Sequence, residues 1–294
     1  MGRGASATPG TARRRLAFAA ALLVLAFAGS AGAATRILAV GDFGVGGESE
    51  RATGAAMQAY EQKNPAAVLL TLGDNDYTKS PSAFARNWQE AFGWAGTAGV
   101  RVAGVLGNHD YAVDEGAYEL ATLGLPERRY RTLRAGPVAL FLLDSNAIDG
   151  AQTAWLERAL KASKAPWKIA VLHHPPYVCG LHSGDGDVQS RWAPLFERYG
   201  VRLVLSGHEH SYQRFLARRG VTYVVHGGGG AVLYLPRSCP DGYPARAAKR
   251  FGFGFLSVVA GEESLTVTAL DRSGRRVDRV TLERLAPALA RRAR

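Results

Sequence analysis

Five times along this chain an apolar run stops at a glycine or a histidine, and polar residues follow at once. The runs are Ile37-Leu38-Ala39-Val40 before Gly41-Asp42, Val68-Leu69-Leu70-Thr71-Leu72 before Gly73-Asp74, residues 100–106 before Gly107-Asn108-His109-Asp110, residues 169–172 before His173-His174, and residues 201–205 before Ser206-Gly207-His208-Glu209-His210. Unbroken apolar runs of this length suit strands buried on both faces. Between them lie helix-like stretches at 49–62, 82–94, 151–163 and 189–199. Strands alternating with helices indicate an α/β fold. Ligands of open α/β sheets bind outside the carboxyl ends of the strands, so the five polar clusters are expected to form one site.

From residue 214 the pattern changes. Segments 221–225, 255–259 and 265–270 read as short strands joined by turns such as Asp271-Arg272-Ser273-Gly274, an antiparallel portion expected to complete a second sheet. No Pro- or Ser-rich linker follows residue 35, so residues 34–294 read as a single domain with a mobile basic tail from about 286.

The first 33 residues belong to a different class. Arg13, Arg14 and Arg15 precede an apolar run over 16–28, and small residues Ser30-Ala31-Gly32-Ala33-Ala34 follow. That three-part pattern is a secretory signal cleaved near Ala33, and the apolar run falls short of the roughly 20 residues of a membrane span. The expected location is secreted or periplasmic, with no permanent membrane anchor. The adjacent arginines also permit the twin-arginine route. Removing 1–33 takes away four arginines and no acids, which lowers the net charge from +11 to +7. That excess reads as a solvated surface or as an attraction for anions. No basic stripe is interleaved with aromatics, so nucleic-acid binding is not expected. Cys179 and Cys239 are the only cysteines, both in Gly/Pro-rich loops. In an oxidising compartment they are expected to pair, two isolated thiols being the alternative.

All seven histidines lie within 109–226, and five of them are in the polar clusters. Histidines grouped with Asp and Asn at strand ends point to a metal or catalytic site. His208 and His210, two apart, would face the same way at a strand end, and Gly207 before them allows a sharp turn close to ions. Asp74 offers a carboxylate able to bridge two cations, Asp42 a second carboxylate, and Asn108 a side-chain oxygen. This mixed oxygen and nitrogen set differs from the closed Cys/His shell of structural zinc.

In this order, Asp42, Gly73-Asp74-x-x-Tyr77, Gly107-Asn108-His109-Asp110, His173-His174-Pro175 and Gly207-His208-Glu209-His210 resemble the calcineurin-like metallophosphoesterases. Within them the chain resembles the purple acid phosphatases of the small, single-domain, tartrate-resistant type. Leu143-Asp144-Ser145 and Trp155-Leu156 also sit where that family has similar residues. The resemblance implies two mixed β-sheets packed as a sandwich and flanked by helices, a four-layer α/β/β/α arrangement. It separates this chain from relatives with a histidine two residues after the first Asp, because Gly44 stands there and Tyr77 supplies a phenolate instead.

Carried over residue by residue, Asp42, Asp74, Tyr77 and His210 would hold a first ion, Fe(III). Asp74, Asn108, His173 and His208 would hold a second, Fe(II), Zn(II) or Mn(II). Of the His173-His174 pair, the family's His-x-Pro spacing selects His173, since neighbours at a strand end point opposite ways. His109 and His182 are the catalytic candidates, and with Asn108 they would contact the phosphate. His174 and His226 receive no role. The implied activity is hydrolysis of small phosphomonoesters by attack of a metal-bound hydroxide, in a monomeric acid phosphatase. A phosphodiesterase and a non-catalytic metal- or phosphate-binding protein are the rival readings.

Overall fold

Each of the five apolar runs forms a strand in the computed structural model, which describes residues 34–284 together with Met1, Gly2 and Gly4. Contacts divide the chain into Met1–Ala31 and Gly32–Arg294, and the description below concerns the second unit. Apart from Met1, Gly2 and Gly4, the expected signal segment (1–33) lies outside the described residues, as does the expected tail from about 286.

In chain order the elements are β1 (Thr35–Val40), α1 (Glu48–Glu61), β2 (Val68–Leu72), α2 (Pro81–Phe92), α3 (Trp94–Thr97), β3 (Arg101–Val105), α4 (Ala117–Thr122), β4 (Arg131–Ala135), β5 (Val138–Leu142), α5 (Gly150–Ala162), β6 (Trp167–Val171), α6 (Ala193–Arg198) and β7 (Leu203–Ser206). Six strands follow: β8 (Tyr212–Arg218), β9 (Val221–His226), β10 (Arg246–Arg250), β11 (Gly254–Ala260), β12 (Ser264–Asp271) and β13 (Arg276–Glu283).

The strands form two mixed sheets, ordered β13-β12-β11-β1-β2-β3 and β10-β8-β9-β7-β6-β5-β4. Within the first, β1, β2 and β3 run parallel. Within the second, β5, β6, β7 and β9 do. The inner faces meet in one core, with Ile37, Leu70 and Val258 from the first sheet against Leu140, Ile169 and Leu205 from the second. The opposite face of the first sheet packs Leu38 and Leu69 on Met57 of α1 and on Phe84 and Phe92 of α2. That of the second packs Phe141 and Ala170 on Leu156 of α5 and Phe196 of α6. Buried on both faces, β2 and β5 have no exposed position, hence their continuous apolar sequence. The α/β/β/α sandwich is therefore as expected.

Two local expectations differ. The antiparallel tail does not complete one sheet but divides: β8–β10 extend the second sheet and β11–β13 the first. The 189–199 stretch is a π-helical turn, Val188–Trp192, running into the short α6, because Pro194 fits the first turn of a helix but not its interior. Cys179 and Cys239 are joined by a disulfide. Among the described residues no helix is long and apolar enough to cross a membrane.

Candidate metal centre

The carboxyl ends of β1, β2, β3, β6 and β7 meet at one rim of the sandwich, and their polar clusters converge there. The first sheet supplies the oxygen donors: Asp42 after β1, Asp74 and Tyr77 after β2, and Asn108 after β3. The second supplies the nitrogen donors: His173 after β6, and His208 and His210 after β7. Asp42, Asp74, His173 and His210 are buried, whereas Asn108 is exposed and Tyr77 and His208 are half-buried. The site is thus a cleft with a charged floor and an open mouth.

Asp74 occupies the middle. Its Oδ2 accepts a hydrogen bond from the Tyr77 hydroxyl (3.0 Å) and lies 3.4 Å from His173 Nε2. Its Oδ1 accepts from the His109 backbone N–H (2.9 Å). The Tyr77 hydroxyl also lies 3.0 Å from His210 Nε2, and that nitrogen is 3.3 Å from Asp42 Oδ1. On the other side His173 Nε2 is 3.2 Å from both Asn108 Oδ1 and His208 Nδ1.

Backbone carbonyls fix which imidazole nitrogen faces the cleft. His173 Nδ1 meets the Leu72 carbonyl at 2.9 Å and His210 Nδ1 meets that of Val232 at 2.6 Å. A carbonyl only accepts, so each Nδ1 carries a proton and each Nε2 faces the cleft, the orientation that metal-ligating histidines require.

Electrostatics give the cluster its chemical bias. Burial raises the Asp42 carboxyl, with Asp74 adding to the rise and His210 opposing it. Burial also acts to raise Asp74, but the charge and hydrogen bonds of His173 and the His109 N–H hold it below the ordinary range. Burial and the two carboxylates drive the Tyr77 phenol far up. The neighbouring carboxylates lift His173 to about 9 against its burial. Burial and the histidines around it push His208 down to about 2. Two carboxylates, a phenol and three imidazoles around one point form a donor set that cations would satisfy better than protons do. The residues present fit a pair of metal ions.

The backbone is bent to make this fit. Among the described residues six non-glycines have φ in the left-handed region, and three are Asp42 (58°), Asp74 (51°) and His208 (71°). Each such residue costs on the order of 1 kcal/mol. The φ of His208 also changes the reading of the His208/His210 pair. They lie in a turn beyond the end of β7, so the rings diverge, His208 toward His173 and His210 toward Tyr77 and Asp42. Gly207 is needed for close approach: a Cβ there would lie 2.4 Å from Asp42 Oδ2.

The catalytic candidates flank the mouth. The His109 ring packs on that of Tyr77 at 4.2 Å, and the His182 ring stacks on that of His208 at 4.0 Å. His174 does not point away, as strand alternation implied. Its Nδ1 lies 2.9 Å from Ser145 Oγ and its ring 4.6 Å from that of His208, so it joins His173 and His208 in a further potential ligand group. It is nevertheless His173 that faces Asp74 and Asn108. His226 is buried beyond the cluster.

Sequence reasoning passed over three residues. Asp110 is buried and accepts four hydrogen bonds, from the N–H groups of Asn75, Asp76 and Gly107 and from Asn75 Nδ2, which ties the Asp74 loop to the Asn108 loop. Tyr234 stacks on His210 at 4.2 Å with rings nearly parallel. Glu209, a spacer between two histidines in the sequence, is buried. Its carboxylate accepts from the Leu181 N–H (3.1 Å) and the His182 N–H (3.0 Å), and meets His182 Nδ1 at 3.2 Å. Glu209→Gln is expected to raise KM for a phosphomonoester about tenfold with a smaller change in kcat, because His182 loses its charged anchor. Steady-state kinetics check this, and an unchanged KM would mean that the disulfide-tied loop holds His182 without Glu209.

Known proteins resemble this chain in sequence and in fold. The sequence model described as calcineurin-like phosphoesterase matches residues 35–212. The chain is 26% identical to the tartrate-resistant acid phosphatase type 5 of Oryctolagus cuniculus, over 90% of this chain and 96% of that one. Among solved structures, the purple acid phosphatase PPD1 of yellow lupin superposes with TM-score 0.73 at 18% identity, covering 87% of this chain and 55% of that one. GAP50, described as the anchor in the inner membrane complex of Plasmodium, superposes with TM-score 0.77 at 13% identity, covering 89% and 94%. Likeness at these identities shows the fold, and a fold does not by itself carry an activity. The family match does more, since it runs from β1 through both histidines after β7: this chain belongs to the calcineurin-like phosphoesterases.

Proposed function

We propose that the chain is an exported acid phosphatase that hydrolyses phosphomonoesters at a dinuclear centre. Asp42, Asp74, Tyr77 and His210 would hold a ferric ion, and Asp74, Asn108, His173 and His208 a divalent one. The observation that carries this reading is the placement of Asp74, whose Oδ2 faces the Tyr77–His210 side and the His173–Asn108 side at once. Its likeness to the rabbit tartrate-resistant acid phosphatase, over nearly the whole of that chain, supports it.

Two bound cations supply a water acidified for attack in mild acid and a positive clamp for the phosphoryl oxygens. The protein's own groups do the rest. Asn108 and the half-buried His109 and His182 line the open side, where the ester must enter. With Nδ1 against Glu209, His182 presents Nε2 to an equatorial oxygen or to the leaving alkoxide, which needs a proton. The buried floor keeps Asp42 and Asp74 away from bulk water, where their charge would be screened.

Metal analysis and the visible spectrum of the purified protein test the reading together. A Tyr77-to-ferric charge-transfer band is expected to give a violet solution, and Tyr77→Phe should remove the band while the fold stays intact. A colourless, zinc-only preparation with full activity would overturn the ferric assignment. Turnover of nitrophenyl phosphate is expected to exceed that of bis-nitrophenyl phosphate; the reverse order would favour a phosphodiesterase.

A further inference from the structure

On the outer face of the first sheet, beside α1, lies a cavity of about 370 Å³. Its floor is Ser257 and Val259 of β11 with Thr266 and Thr268 of β12; its rim is Tyr60 of α1, Arg36 of β1, and Arg276 and Arg279 of β13. Strand register brings these together: Arg36 is opposite Val259, Ser257 opposite Thr268, and Thr268 opposite Arg279. On β12 the inward positions Leu265, Val267 and Ala269 are buried in the inter-sheet core, whereas Thr266 and Thr268 remain half-buried on this outer face. The lining therefore combines three guanidinium groups with hydroxyls and contains no carboxylate.

The absence of acids is local. Arg275, adjacent to the cavity residues in sequence, lies 3.4 Å from Asp271, and Arg284 lies 3.5 Å from Glu263. Among the described residues neither Arg36 nor Arg276 nor Arg279 has a carboxylate at salt-bridge distance. Arg36 reaches only the Pro65 carbonyl, through Nη1 (3.2 Å), and its Nε is buried without a partner. Arginines on a solvated edge strand would discourage edge pairing, but that role needs neither a concave pocket nor a buried unpartnered donor.

We propose that this cavity binds an oxyanion of the phosphate class, free or as the phosphoryl group of an ester. Planar guanidinium forks match the oxygens of such a group, and the Thr268 and Ser257 hydroxyls offer further contacts. The volume falls in the range of small-ligand pockets. The site is separate from the metal centre, since Arg36 stands at the opposite end of β1 from Asp42, about 20 Å away along the strand.

Titration calorimetry of the metal-loaded protein with inorganic phosphate tests this. Wild type is expected to bind two equivalents, one at the metal centre and one here. Arg276→Ser/Arg279→Ser replaces two exposed side chains and should fold normally. It is expected to weaken the second equivalent at least about tenfold, the size of effect that loss of charge-assisted hydrogen bonds produces, and to leave kcat/KM on nitrophenyl phosphate unchanged. Phenylphosphonate, which resists hydrolysis, distinguishes the sources. Binding at this site equal to that of phosphate assigns it to esters, and weaker binding assigns it to the free anion. The proposal is overturned if the double variant binds as much phosphate as wild type with the same affinity, whether wild type takes one equivalent or two; a single equivalent lost in the double variant would instead count against the metal centre.

Discussion

Asp74→Ala is expected to lower phosphatase kcat/KM by at least roughly 10³-fold, about 4 kcal/mol of transition-state stabilisation. The size follows from geometry. Every other donor serves one side of the cluster, whereas Asp74 faces Tyr77 and His173 together. Its removal would take the shared ligand from both ions of the proposed centre and leave the His109 N–H without its acceptor. The test is activity together with metal content by elemental analysis, on a variant whose circular dichroism matches wild type. Such a variant retaining wild-type turnover would sink the assignment of the site. His210→Ala should lose the first ion's nitrogen ligand while sparing the second ion, so its residual metal content should be higher.

Asp110→Ala is expected to destabilise the fold by about 3–5 kcal/mol, the cost of removing a buried carboxylate from donors that cannot reach water. Three of those donors are backbone N–H groups, so no rotamer change can relieve them. Chemical denaturation of the metal-free and the metal-loaded protein measures the effect. The loaded form should lose the larger share, because the Asp74 and Asn108 loops are aligned through Asp110. A loss below about 1 kcal/mol would show that water replaces the carboxylate and that the loops are held elsewhere.

The five strands that carry the site were legible because each is a continuous apolar run, and burial on both faces leaves no other composition available to them. The positions that converge on the cleft were legible for a related reason: a strand end followed by Asp, Asn or His has little structural excuse. The β4–β5 hairpin was not, since Arg131, Thr132 and Arg134 alternate with only Leu133 before the turn at Gly136-Pro137. Which sheet each C-terminal strand joins depends on contacts between β1 and β11 far apart in sequence, and nothing in the local pattern encodes that pairing.

Side-chain direction was the weaker part of the reading. Period-two alternation predicted that His174 points away and that His208 and His210 point together, and both fail for one cause. The strands end before these residues, and the left-handed φ of His208 resets the direction of everything after it. Glu209 and Asp110 were hidden by their neighbours, since each stands beside a residue with a more obvious chemistry. Their role became visible only through the backbone N–H groups they bind.

Oxygen donors from one sheet and nitrogen donors from the other make the centre a seam, and a seam is sensitive to whatever sets the gap it closes. That gap is the inter-sheet core, where Leu140 and Val258 are fully buried. Interiors this closely packed transmit small volume changes as displacement. Trimming a core side chain far from the cleft would alter the distance between the two halves of the coordination sphere, and with it the affinity for ions that no trimmed atom touches. Cation loading, in turn, would clasp one sheet to the other, so metal content would report on the packing of the whole sandwich.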